Sequence, residues 1–344
     1  MSSQAETKIL KDKEVLLTGG CGFIGSEVAK QLSEIGANIT ILDNLSSGKE
    51  SYISNFENVN LVKGDIRDDE TIGSVVKNKE YVINLAALPF IPDSYQYAKE
   101  FFDVNVNGTM NVALSSSKEK NVKRFVHISS SEIYGTAKYT PMDENHPTIP
   151  HSTYAVSKLA GDRVVFTFHK EHNLPAVIIR PFNSFGPNIT QPYIIPEILT
   201  QLLNNTNEIK LGNLNSKRDL TFVSDTAKAI ILALVTDKIE GETINVGTER
   251  AISVKDLVSI MSKILSKSVK ISVDNSRLIP FDVNVLECDY SKAKNLLKWS
   301  PEISLEDGLK ITIDWVKNNG IKLQDTFTGF RSPYRTIRYQ KIQQ

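Results

Sequence analysis

Val15-Leu16-Leu17-Thr18-Gly19-Gly20-Cys21-Gly22-Phe23-Ile24-Gly25 is the stretch that decides how this chain is read. Three aliphatic residues read as a short buried strand, the glycines turn the chain, and the apolar periodicity from there to about Gly36 is helical. Strand, glycine turn and helix in that order make a phosphate cradle. The glycines permit a tight bend, close approach of backbone N–H groups to a pyrophosphate, and close packing of helix on strand, while the helix dipole favours the anion. Taken alone, the same stretch could equally be an ordinary strand-to-helix turn.

Working outward, Asn38 to Leu42 is a second strand that ends in Asp43. A carboxylate roughly twenty residues beyond the glycines can accept from both ribose hydroxyls, and its charge repels the extra phosphate of NADP, so the expected cofactor is NAD. Val59 to Val62 is a third strand, closed by Gly64-Asp65-Ile66. Tyr81 to Ala87 is a further strand ending in small residues that would let a cofactor lie flat. Ser94 to Lys120 reads as mostly helical, and Arg124 to Ile128 is a buried strand running into Ser129-Ser130-Ser131-Glu132-Ile133-Tyr134-Gly135. A long helix starts near Thr153 and carries Tyr154 and Lys158, and the strand Ala176 to Ile179 runs into Arg180-Pro181-Phe182-Asn183. This alternation implies an α/β fold, a Rossmann-type doubly wound parallel sheet with its crevice at the carboxyl ends of the strands.

The rhythm changes after Gly186-Pro187. The expected layout is an N-terminal tail over 1–12, an NAD-binding domain over 13–186, a smaller C-terminal α/β substrate lobe over most of 187–318, and a tail over 319–344. A strand near 243–246 is a candidate to cross back into the first domain, and a helix from Ile303 to Trp315 closes the second.

Composition narrows the function classes. Forty basic residues balance forty acidic ones, so no whole-molecule field favours nucleic acid or an anionic membrane. The two cysteines, Cys21 and Cys288, stand far apart without metal-site spacing, which argues against a disulfide scaffold or a zinc site and for a reducing, cytoplasmic setting. Met1 to Glu14 has no apolar signal core, and the longest aliphatic run, Ala229 to Val235, is too short to span a bilayer. His169 and His172 share a helix face without a third ligand in view, so no metal is expected. The basic residues Arg331, Arg335, Arg338 and Lys341 read as a solvated or docked terminus rather than a nucleic-acid arm.

Thr18-Gly19-x-x-Gly22-x-x-Gly25, Asp43-Asn44-Leu45-Ser46-Ser47-Gly48, Gly64-Asp65-Ile66, Tyr154-x-x-x-Lys158 and Arg180-Pro181-Phe182-Asn183 together resemble the extended short-chain dehydrogenase/reductase family of nucleotide-sugar enzymes. Arg218-Asp219-Leu220-Thr221-Phe222-Val223 and Asp289-x-Ser291-Lys292-Ala293 through Trp299-x-Pro301 extend the resemblance into the second lobe. It implies that Gly19, Gly22, Phe23, Ile24, Gly25, Asp43, Asn44, Ser46, Gly48, Asp65, Ile66, Leu85, Ala86, Ala87, Asn105, Ser129, Tyr154, Lys158 and Pro181 surround NAD. It also implies a nucleotide-sugar substrate, GDP- or UDP-linked, with Asn183, Arg218 and Arg277 on the diphosphate. Arginine suits that place because its planar fork binds phosphate oxygens in pairs.

For catalysis the resemblance implies Ser130 at the sugar O4, Tyr154 as the base for that hydroxyl, and Lys158 on the nicotinamide ribose. Lys158 lies one helical turn from Tyr154, and the expectation is that its ammonium lowers the phenol toward neutrality. Glu132 separates the subfamilies: the 4-epimerases need no carboxylate there, whereas 4,6-dehydratases and glucuronate decarboxylases carry one. In the dehydratases it removes the C5 proton once C4 is a ketone, water leaves from C6, and a hydride returns to C6. Ser131 stands where glucose-type dehydratases have an aspartate, so Glu132 could serve as both base and acid.

The wording is closest to GDP-N-acetylglucosamine-type 4,6-dehydratases of the legionaminic acid pathway, which implies an N-acetylhexosamine substrate and a 4-keto-6-deoxy product. A UDP-glucuronate decarboxylase and a UDP-sugar 4-epimerase remain open as alternatives, and a non-enzymatic dinucleotide-binding scaffold is disfavoured because Ser130, Tyr154 and Lys158 are all present. Members of the family commonly pair through two long helices, here about Ser94 to Lys120 and Thr153 to His172, so a homodimer is expected.

Overall fold

The computed structural model describes residues 7–204, 208–278 and 281–320. Its strands are β1 (Glu14–Thr18), β2 (Asn38–Asp43), β3 (Val59–Lys63), β4 (Tyr81–Asn84), β5 (Arg124–Ile128), β6 (Ala176–Pro181), β7 (Asn183–Phe185), β8 (Glu208–Leu211), β9 (Lys217–Phe222), β10 (Thr243–Val246), β11 (Ala251–Ser253), β12 (Lys270–Val273) and β13 (Val285–Leu286). Seven of them form one parallel sheet in the order β10-β6-β5-β4-β1-β2-β3. The chain winds outward from β1 to β3, then returns to β4 and winds the other way. Connections therefore diverge between β1 and β4, and a crevice opens there at the carboxyl ends of the strands.

Helices cover both faces of this sheet, which is why its strands read as continuous aliphatic runs rather than as alternating ones. Leu17, Val28, Leu32 and Ile41 belong to the core on one face, and Leu16, Ile72, Val82, Val112 and Phe125 to the core on the other. The helix Phe23–Ile35 stops at Gly36, whose φ of +87° is open to glycine at no steric cost. The long helix Thr153–His172 starts at Ser152, whose side chain accepts from the Ala155 amide, and ends at Asn173 in the left-handed region.

β10 pairs in parallel with β6, so the chain re-enters the first sheet after 187. The aliphatic helix Val223–Val235 re-enters with it: Ala227 and Ala229 to Leu234 are buried in the same core as β1 and β2. The expected layout left that helix in the second lobe, because only 243–246 was a candidate to return and the aliphatic run Ala229 to Val235 gives no direction. The smaller lobe is built on β9, flanked by β11, β13 and β7, with β8 and β12 as a separate parallel pair. The helices Ile194–Leu203, Val254–Ile264 and Leu305–Asn319 pack there around Leu199, Leu220, Leu257 and Leu309.

The region expected as one helix from Ser94 to Lys120 is more broken. A short turn at Ile91–Ser94 precedes Ala98–Phe102, a π-helical segment at Asp103–Gly108, and Thr109–Lys118. Among the described residues no helix is long and apolar enough to cross a membrane, and no cluster of His, Cys, Asp or Glu could hold a metal. His169 instead bonds the Leu174 carbonyl, and His172 stacks on Phe168. Arg331, Arg335, Arg338 and Lys341 lie outside the described residues.

Candidate active site

The glycine turn closes against the loop after β4. A Cβ on Gly19, which has φ +72°, would stand 2.8 Å from the Ala86 backbone, and one on Gly25 would stand 2.1 Å from the Gly19 carbonyl oxygen. Gly22, the residue before the helix, offers no capping side chain, and the first turn holds no acidic residue. The amides at that helix start are left for an anion. Thr18, part of the glycine motif but given no role from sequence, organises the junction. Its hydroxyl donates to Asn84 Oδ1 at 2.9 Å and accepts from the Leu85 and Ala86 amides.

Asp43 is buried at the end of β2, where Oδ2 accepts from the Cys21 amide at 2.9 Å and Oδ1 from the Leu45 amide at 2.8 Å. Burial raises its pKa, and the two amides partly offset that. Asn44 donates to Asp65 and accepts from the Ser46 amide, and a Cβ on Gly48 would press against Cys21. Asp65 is held at about 2, chiefly by its hydrogen bond from Arg67. Ile66 packs on Gly108. Asn105 uses both ends of its amide on Leu88 and also donates to Ser157, so it shapes the loop beyond Ala87.

One cavity of about 360 Å³ runs from this crevice into the smaller lobe. Phe23, Ile24, Leu85, Ala87, Pro181 and Ser129 line its first half. The Ser129 hydroxyl is buried without a partner among the described residues. A glycine cradle free of side chains, an anion-ready helix start, a buried carboxylate and an orphaned hydroxyl fit an adenine dinucleotide of the NAD kind.

Ser130, Ser131, Glu132, Tyr154 and Lys158 line the middle of the same cavity. Ser130 precedes the single helical turn Ser131–Tyr134, and its hydroxyl accepts from the Glu132 amide at 3.2 Å. That turn points Glu132 inward. Burial raises the Glu132 pKa, Arg218 lowers it and Asp282 raises it further, with a net upward shift. Such a shift makes the carboxylate a stronger base than an ordinary glutamate.

Tyr154 departs from expectation. Burial pushes its phenol up to about 12, a hydrogen bond with Ser130 only partly offsets this, and Glu132 adds to the rise. Lys158 does not lower it, because its ammonium donates to the Ile128 carbonyl at 2.6 Å instead. Lys158 is itself lowered to about 8 by burial, with Asp162 acting against the shift. Helical spacing gave the right face but not the direction of the lysine head group.

In the far half of the cavity the Asn183 carboxamide oxygen is buried without a partner among the described residues, as a waiting acceptor. Arg277 is ion-paired with Glu197 and with Asp274, the latter at 3.2 Å. Arg218 reaches Asp282 at 3.0 Å and the Val283 carbonyl at 2.6 Å, with Nε 3.9 Å from Glu132. Its guanidinium thus lies beside the Glu132 carboxyl as well as on the wall of the cavity. His151 also lines the cavity and escaped the sequence reading, since a lone histidine in a proline-containing loop carries no spacing signal.

Beneath the site lies a buried polar cluster. Arg180 forks onto Asp162 at 2.9 and 3.2 Å and donates to the Tyr134 hydroxyl at 2.9 Å, which donates to Asn245 at 2.8 Å. This ties the catalytic helix, the Glu132 turn, β6 and β10 into one unit.

Comparison with known proteins agrees with this architecture. Residues 16–312 match the family model described as GDP-mannose 4,6 dehydratase. A putative UDP-glucose 4-epimerase of Methanocaldococcus jannaschii is 33% identical over 89% of this chain and 99% of its own. A dTDP-glucose 4,6-dehydratase of Streptomyces niveus is 30% identical over 92% and 97%. A UDP-N-acetyl-alpha-D-glucosaminuronate decarboxylase of Bacillus cytotoxicus is 30% identical over 89% and 98%. Among solved structures, the epimerase Mth375 of Methanothermobacter thermautotrophicus superposes with TM-score 0.88 at 31% identity, covering 94% of this chain and 97% of that one. The dTDP-glucose 4,6-dehydratase DesIV of Streptomyces venezuelae, solved with NAD bound, superposes with TM-score 0.81 at 27% identity, covering 89% and 97%.

Proposed function

The chain belongs to the GDP-mannose 4,6 dehydratase family, within the extended short-chain dehydrogenases/reductases, and from that premise we propose that it is an NAD-dependent nucleotide-sugar 4,6-dehydratase. The observation that carries this reading is Glu132, a carboxyl raised by burial, in one cavity with Tyr154 and Ser130. Bound NAD would supply a two-electron acceptor for C4, a donor for C6 and, when oxidised, positive charge near the phenol. Gly19, Gly22 and Gly25 would hold its pyrophosphate and Asp43 its ribose.

Ser130 orients the O4 hydroxyl, Tyr154 takes its proton, and Lys158 braces the site from the Ile128 carbonyl. Glu132 then takes the C5 proton. Asn183 and Arg277 face the diphosphate, and Arg218 stands nearer the sugar. The proposed substrate is a GDP- or UDP-linked N-acetylhexosamine, and the product its 4-keto-6-deoxy form.

One observation favours a decarboxylase as the second reading. Such an enzyme needs a cation for a C6 carboxylate, and Arg218 stands 3.9 Å from Glu132. Asp282 already neutralises that guanidinium, which weighs against it. Incubation of the purified protein with GDP- and UDP-linked hexoses and uronic acids separates the readings. The expected product absorbs strongly in alkali, as a 4-keto-6-deoxy sugar does. Carbon dioxide release from a uronic acid, or exchange of C4 configuration without loss of water, would replace the dehydratase by a decarboxylase or an epimerase.

We also propose a homodimer. Phe102, Met110 and Leu114 on the segments over 98–118, and Val156 on Thr153–His172, are large apolar residues left exposed on two adjacent helical segments. Light scattering at micromolar concentration should give twice the chain mass, and a monomer would refute the pairing.

A further inference from the structure

Loss of water from C6 needs two protons moved: one off C5 and one onto the departing hydroxyl. Glu132 accounts for the first; Ser131, a hydroxyl with no useful acidity, cannot supply the second, and Glu132 can return its own proton only by reaching both C5 and the C6 oxygen in turn, a second role that a separate acid would take over. We propose that His151 is the general acid that protonates the leaving group, an inference that rests on the dehydratase reading.

Three placements support it. His151 lines the cavity together with Glu132 and Tyr154. It sits immediately before Ser152, the residue that caps the catalytic helix, so its backbone is fixed relative to Tyr154. Its ring lies against Gly135, where a Cβ would stand 3.0 Å from Cδ2 and 3.1 Å from Nε2. Gly135 ends the turn that carries Glu132, and its amide donates to the Glu132 carbonyl at 3.1 Å. At φ +67° this glycine lets the Ile149 carbonyl and the His151 ring both close on the turn, since a Cβ there would stand 2.0 Å from the Ile149 oxygen.

The other proton-bearing groups of the cavity are committed elsewhere. Lys158 donates to the Ile128 carbonyl, and Tyr154 is already assigned to the O4 proton. Asp282 accepts from Arg218 and from Asn213, and Glu197 is paired with Arg277. Tyr95 and Tyr193 are phenols, which give up a proton far less readily than an imidazolium. No hydrogen bond to the His151 ring occurs among the described residues. An imidazole is also the side chain best suited to exchanging a proton near neutral pH.

The step balances as an elimination from the 4-keto sugar. The C5–H bond breaks, its proton passes to Glu132, and its electron pair forms the C5–C6 double bond. The C6–O bond breaks with its pair on oxygen, which takes the proton of the His151 imidazolium and leaves as water. His151 is then neutral and regains a proton from solvent.

The test compares wild type, His151→Gln and His151→Asn on two sugar nucleotides, the parent hexose and its 6-deoxy-6-fluoro analogue. Fluoride leaves without needing the proton that hydroxide requires. On the parent sugar both variants should lose about 10²- to 10⁴-fold in turnover, keep KM within a few-fold, and still accumulate reduced nicotinamide absorbance from C4 oxidation. On the fluoro sugar they should recover to within about tenfold of wild type, whereas Glu132→Gln should not recover. Unchanged turnover of His151→Gln on the parent sugar would overturn the assignment, as would equal slowing on both sugars. Loss of C4 oxidation in both variants would also overturn it, since His151 would then hold the helix start and not move a proton. If wild type dehydrates no sugar nucleotide, the parent reading fails; if wild type dehydrates and His151→Gln matches it, only this inference fails.

Discussion

Glu132→Gln is expected to stop dehydration while leaving sugar binding and C4 oxidation in place. The amide fills the same volume and keeps the backbone bond between the Glu132 amide and Ser130, so the turn over Ser131–Tyr134 stands. It cannot take a proton, and loss of a positioned base costs about 10²- to 10⁴-fold in rate. Reduced nicotinamide absorbance should therefore build up to one equivalent per site while the 4-keto-6-deoxy product falls below a hundredth of the wild-type yield. The wild-type rate should also rise with pH through a value above the ordinary glutamate range, because burial raises this carboxyl and the base must be ionised. Product formation by Glu132→Gln at the wild-type rate would remove Glu132 from the mechanism.

The second large effect is on stability. Asp162→Ala leaves the buried Arg180 guanidinium without its carboxylate, and breaking such a pair from one side costs about 3–5 kcal/mol. Asp162 is fully buried and Arg180 nearly so. Burial alone would raise the Asp162 pKa, but Arg180 and Arg163 more than offset it and hold it below the ordinary aspartate value. A carboxyl depressed in the folded state contributes stability that is complete above its unfolded pKa and is lost as pH falls through the folded value. The denaturation midpoint of wild type should thus drop on acidification below about pH 4, where the unfolded aspartate titrates. That of Asp162→Ala should be low already at neutral pH and fall less. A variant as stable as wild type at neutral pH would show that the cluster is not what joins the catalytic helix to β6.

Much of the molecule was legible before any coordinates. Val15 to Gly25 announced its turn because no other residue type tolerates the approaches seen at Gly19 and Gly25. Strand runs such as Phe125 to Ile128 were readable because both faces of the sheet are covered. The pattern failed where direction is not encoded by periodicity. The aliphatic run Ala229 to Val235 did not say that its helix packs on the first sheet rather than in the second lobe, and the helical register of Lys158 with Tyr154 did not say that its ammonium would turn to Ile128. Arg218 and Asp282 are 64 residues apart, and their pairing is a product of lobe packing that no local motif records.

The sequence by itself determined the parallel α/β sheet, the glycine cradle, Asp43 at the end of its strand, and the residue types Ser130, Glu132, Tyr154 and Lys158 at their spacings. These are local properties: hydrophobic period, backbone freedom and helical register act within a few residues of chain. Only the tertiary structure decided that burial raises Glu132 and pushes the Tyr154 phenol up to about 12, that Arg218 pairs with Asp282 beside Glu132, and that His151 shares the cavity. Those depend on burial and on charges brought together from distant segments, and proton affinity responds to the three-dimensional dielectric and field around a group, which no stretch of sequence contains.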